Sequence, residues 1–114
     1  MRRLAVLPLI LAATVAQAQQ VPEQSLMDLW CGLAFTIVAA EAPPDAPQDL
    51  VDRFAEGGRV LTDRASAIYL ESGHTDQSLN AQIDTLRTDV RTQLDSAEIP
   101  DTYSFEECDA LLPF

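Results

Sequence analysis

The chain has no lysine, a single histidine, two cysteines and four glycines in 114 residues. Each scarcity removes a class of function. With arginine as its only base, it carries seven basic residues against 18 acids, a formal charge of −11. Such a surface is repelled by nucleic acid and by anionic lipid head groups, and tolerates or prefers basic partners. One histidine, His74 in the turn Gly73-His74-Thr75, which reads as exposed, has no second His or Cys near it in sequence, so neither a transition-metal site nor a Ser/His/Asp set can be assembled. The cysteines form no Cys-x-x-Cys, which removes a redox pair and a haem attachment. No glycine-rich phosphate loop, calcium-loop spacing, internal repeat, low-complexity tract or useful strand-period run occurs. The acids Glu106, Glu107 and Asp109 bunch around Cys108, where the start of a short helix already accounts for them.

The N-terminus reads as an export signal. Met1-Arg2-Arg3 is positive, Leu4 to Val15 is continuously apolar, and Ala16-Gln17-Ala18 places small residues where a signal peptidase reads them. The apolar run is shorter than the roughly 20 residues a bilayer span needs. No Cys follows closely enough for a lipid anchor, and the Arg pair lacks twin-arginine flanks. Residues 1–18 are therefore expected to be a secretory signal peptide, cut between Ala18 and Gln19. Removing 18 of the 114 residues leaves 96, residues 19–114, a single helical domain with five Arg against 18 acids and a charge of −13. Its expected location is the periplasm, with no stable membrane insertion after cleavage. The Arg-only basic set and abundant alanine fit a GC-rich bacterial genome.

A domain of this size buries a modest core, so a staple is expected. Cys31 and Cys108, 77 positions apart, are expected to form a disulfide in an oxidising compartment. The chain-entropy model credits such a loop with about 4–5 kcal/mol.

The organising stretch is Ser25 to Glu41. Leu26, Trp30, Leu33, Ile37 and Ala40 form one stripe at helical spacing, and Met27, Cys31, Ala34 and Val38 form a second beside it. Asp28, Gly32, Phe35 and Ala39 fall opposite. Ser25 and Asp28 have the spacing of a capping box. At about 22 Å this helix is too short to span a bilayer, so its apolarity marks it as central. Pro43, Pro44 and Pro47 then forbid continuation, with Asp45 as the expected cap of the next helix.

That second helix is expected from Gln48 to Leu70. Val51, Phe54, Gly58, Leu61, Ala65 and Ile68 hold their rhythm straight through Gly57-Gly58, so the glycines read as part of one helix, with Gly58 on the seam against the first. Ser72-Gly73 ends it. A third helix is expected from Asp76 to Ala97, with Leu79, Ile83, Leu86, Val90, Leu94 and Ala97 inward and the pairs Asp84–Arg87 and Arg91–Asp95 outward. Ser104 and Glu107 form a capping box for a short fourth helix reaching Leu112, with Phe105, Cys108 and Leu112 on one side, and Tyr103 stapling onto its first turn. The disulfide would lay Phe105 and Leu112 over the side of the first helix that carries Phe35.

The expected architecture is all-α: a small up-down-up three-helix bundle with a short C-terminal fourth helix clipped by Cys31–Cys108. No catalytic set, cofactor or metal site emerges. The expected role is a non-enzymatic binding or accessory protein acting through its surface on a protein partner. The plan (exported, about this size, helical, one disulfide) resembles that of the small periplasmic acid-stress chaperones. That resemblance implies, as the alternative, a stress protein that loosens in acid and exposes apolar surface.

Overall fold

A computed structural model describes residues 20–114. The expected signal peptide and its Ala18/Gln19 cleavage site lie outside the described residues. Four helices follow one another: α1 (Glu23–Ala40), α2 (Gln48–Glu71), α3 (Asp76–Asp95) and α4 (Phe105–Asp109), with no strand among the described residues. The arrangement is the expected all-α bundle. α1 and α2 are antiparallel: Asp28 of α1 meets Arg64 near the end of α2, and Phe35, further along α1, stacks on Phe54 near its start. α3 returns parallel to α1, with Leu86 near Leu26 and Leu94 near Ile37.

Helix α1 is the centre. Leu29 and Cys31 are fully buried, and Trp30, Leu33, Ala34, Phe35 and Ile37 nearly so. Two expectations for it are corrected. It begins at Glu23, with Pro22 before it and no side-chain cap, so Ser25 and Asp28 form no capping box. Both lie one turn further in and are buried. The residues opposite the stripes are covered: Asp28 and Gly32 point at α2, and Phe35 lies under α2 and, as the disulfide clip implied, under Phe105 of α4. Val38, expected inside, is the exposed member of its stripe at 39%.

The glycine pair in α2 behaves as its rhythm implied: the helix runs through it unbroken. Gly58 and Gly32 face each other across the α1–α2 seam. A Cβ on Gly58 would stand 2.9 Å from the Gly32 carbonyl oxygen, and one on Gly32 would stand 2.8 Å from the Thr62 amide nitrogen. The two backbones therefore approach as closely as bare glycine allows. α2 ends at Glu71, and Gly73 just past its end has a φ of 100°, the left-handed conformation that favours glycine. Asp45 does not cap α2, since the residue before its first turn is Pro47, without a side-chain cap.

α3 is capped by Thr75 and Ser78 in a reciprocal box that the sequence reading missed, and it stops at Asp95, short of Ala97. Ser96 turns the chain instead, its Oγ accepting from the amides of Glu98 and Ile99. Leu79 and Val90 are buried, while Ile83, Leu86 and Leu94 are only partly covered. The Asp84–Arg87 pair forms at 3.1 Å, but Arg91 reaches across to Glu41 rather than along its own helix to Asp95. α4 has the expected Ser104–Glu107 box but is five residues long, with Leu111 and Leu112 beyond it.

Candidate functional site

The C-terminal segment determines which part of the surface remains open. Cys31 and Cys108 are joined, with Cα atoms 5.3 Å apart. The bond seats Phe105 edge-on to both Phe35 and Phe54, at 5.8 and 5.3 Å between ring centres. Tyr103 packs edge-on to Trp30 at 5.7 Å, and its hydroxyl donates to Glu23 at 2.7 Å, so it ties α4 to the start of α1 rather than stapling its own helix. Burial, reinforced by the hydrogen bond to Glu23, pushes the Tyr103 phenol up to about 12.

Beyond α4 the chain lies against α2, not only against α1. Leu112 occupies the space left by the missing side chain of Gly57. Arg53 donates to Asp109 and to the Phe114 carbonyl, and its guanidinium lies 5.4 Å from the centre of the Phe114 ring. Arg64 donates to the Leu111 carbonyl at 3.2 Å and, through two nitrogens, to both oxygens of Asp28 at 2.8 Å. That forked contact pushes the guanidinium above its usual value. Asp28 is 3% exposed, so the pair holds one deeply buried charge. Leaving such a charge without its partner costs about 3–5 kcal/mol. Asp28 accordingly serves structure: it fixes the α1–α2 register and, through Arg64, the tail.

Among the described residues, four crevices are bordered by α3. The largest, about 350 Å³, opens where the proline-rich turn and the start of α2 meet α1 and α3. Its walls are apolar, from Ile37, Val38, Leu50, Val51, Phe54 and Leu94, with Glu41 and Asp95 at its edge. A smaller crevice of about 80 Å³ shares Val38 and Leu94 with it and continues beneath Phe105 toward Asp101. Val38, Leu50 and Phe105 keep 39%, 43% and 54% of their surfaces in solvent. Together the two crevices form one continuous apolar track.

A third groove, about 240 Å³, is lined by Leu26, Trp30, Tyr69, Leu86 and the polar side chains of Gln82 and Gln93. The Trp30 indole nitrogen and Tyr69 hydroxyl behind it have no hydrogen-bond partner among the described residues, but both atoms are enclosed by protein. Burial raises the Tyr69 phenol above its ordinary value. The fourth crevice lies over the Gly58–Thr62 stretch beside Arg59 and Arg87.

His74 is half-buried against the Tyr69 ring at 5.1 Å, with Nδ1 3.3 Å from the Ser78 hydroxyl oxygen, in place of the exposed turn expected. Glu107 and Asp109 are taken up by the Ser104 cap and by Arg53. No group of three metal-ligating side chains occurs among the described residues, and no helix among them is long and apolar enough to cross a membrane. The apolar track was not legible beforehand, because it combines residues from the proline turn, α1, α2, α3 and α4. Its one local signal was Val38, an apolar residue at the end of a stripe, just before the prolines.

The chain matches no protein family, no curated protein and no solved structure.

Proposed function

We propose that this is an exported, periplasmic accessory protein without catalysis of its own, which binds another protein of the cell envelope through the apolar track between the proline turn and α3. The observation that carries this reading is the track itself. Val38, Leu50 and Phe105 stand exposed around crevices floored by Ile37, Phe54 and Leu94. Large apolar side chains left uncovered along one continuous surface, rimmed by polar groups, are characteristic of protein docking sites. The Cys31–Cys108 bond supports an oxidising compartment, in keeping with the export pattern of residues 1–18. Nucleic acid and anionic membrane surfaces are disfavoured partners on charge.

The reading is tested in cells with a photo-crosslinking residue at Leu50 and, as a control, at Asp84 on the outer side of α3. A discrete envelope-protein adduct from position 50 and none from position 84 is expected. Equal labelling from both positions, or no adduct from position 50, contradicts it.

A further inference from the structure

We infer that the occupant of the track is a basic amphipathic protein segment: large aliphatic or aromatic anchors with Lys or Arg beside them. This rests on the docking reading above and adds the partner's chemistry to it.

The argument begins with where the positive charge goes. The described residues contain five arginines and no lysine, and every one of the five is already spent on an acid. Arg53 is held by Asp109, Arg59 by Glu56 and Asp63, Arg64 by Asp28, Arg87 by Asp84, and Arg91 by Glu41. An approaching partner therefore meets no unpaired cation among the described residues. The acids left over include those around the track. Asp95 lines the larger crevice and Asp101 the smaller, and neither has an ion-pair partner among the described residues. Asp45 and Asp49 adjoin Ala46 and Leu50, which form the wall on the side of the proline turn. The arginines at this end are neutralised, Arg91 by Glu41 at the crevice edge and Arg53 by Asp109.

An apolar floor between unpaired carboxylates selects a segment with the reverse layout, and the charges would steer its approach. The same charge disfavours the other occupants. A second copy brings its own net −13 over residues 19–114, and an anionic lipid surface is repelled for the same reason. The two joined crevices, about 350 and 80 Å³, suit one large anchor and one small one on a single face of the partner, as when an amphipathic helix lies in a groove.

The test uses fluorescence anisotropy of the disulfide-intact protein with three labelled probes of equal length, about four helical turns. One is an amphipathic Leu/Lys peptide, one its Leu/Glu counterpart, and one a Lys/Ser peptide with the charge of the first. The Leu/Lys peptide is expected to bind. V38Q/L50Q is expected to weaken it about tenfold or more, and D49N/D95N about threefold, with added salt weakening it further. Val38 and Leu50 are exposed, so an unchanged melting curve serves as the folding control. If the Leu/Glu peptide binds equally well and is lost in V38Q/L50Q, the basic occupant is overturned and the docking surface stands. If the Lys/Ser peptide binds as well as the Leu/Lys peptide, charge alone is at work and the apolar anchors are overturned. Absence of Leu/Lys binding, or binding indifferent to V38Q/L50Q, overturns both readings.

Discussion

Helices α1 and α2 meet backbone to backbone, while α3 leans on them through a row of half-covered side chains. At the first contact Gly32 and Gly58 leave no room for a Cβ, and the buried Asp28 is forked by Arg64. Leu61 and Ala65 lose all their exposure there. At the second contact only Leu79 and Val90 are buried, and the links to other elements include an exposed ion pair from Arg91 to Glu41. Surface pairs of that kind contribute little, about 0–1 kcal/mol. Three of the crevices follow from this asymmetry, since a leaning third helix leaves gaps along its length, whereas the fourth lies over the α1–α2 seam with Arg87 alone from α3. The α1–α2 pair and its disulfide clip make the frame, and the edge of α3 makes the surface available to a partner.

Breaking the frame at its clip has the largest expected effect. Cys108→Ser should lower stability by about 4–5 kcal/mol, the loop-closure entropy of a long cross-link. Urea denaturation measures the loss, and limited proteolysis should cut first between Ser96 and Phe114. A variant that melts like the parent would remove the clip from the frame.

The adjacent glycines of α2 sharpen the comparison at a single turn. Gly58→Ala drives a Cβ to 2.9 Å from the Gly32 carbonyl oxygen and the Thr36 amide, both backbone atoms, and should cost about 2–3 kcal/mol. Gly57→Ala meets only the end of Leu112, 2.8 Å away on a flexible side chain. Its gain in helix propensity, about 1 kcal/mol, should offset the adjustment and leave stability nearly unchanged. Equal losses in the two variants would mean that the seam is not where the backbones lock.

The smallest effect is expected at Tyr103, which ties the clip to α1. Its folded-state phenol lies at about 12 against an ordinary 10.0. Its contribution is complete below pH 10, where the phenol is protonated whether folded or unfolded. It is lost as the pH rises from 10 to about 12, where the unfolded chain gives up the proton first. Tyr103→Phe should therefore lose less stability than the parent across that interval. Parallel curves would place the phenol outside the clip.

Patterns confined to one helix were legible in the sequence. The rhythm through Gly57-Gly58 and the Ser104–Glu107 box read correctly because local spacing sets each, and the cysteine pairing because the chain offers only two cysteines to join. Asp28 was read as half of a capping box, because its spacing from Ser25 fits one. Its partner Arg64 belongs to another helix, and the offset joining them is fixed by the glycine seam. The Arg91–Glu41 pair was hidden for the same reason. Val38 belongs by period to the core stripe, yet it is exposed because α3 does not close over the end of α1. The apolar track is thus a property of how the helices seat, which no single segment records.

Hydrogen exchange on the intact protein tests that seating most directly. Buried α1 from Leu29 to Leu33 and the α2 residues facing it should exchange only through global unfolding, while α3 from Ile83 to Leu94 should exchange faster, through local opening. Equal protection of α3 and α1 would contradict the account, because α3 would then be as firmly seated as the helices it leans on.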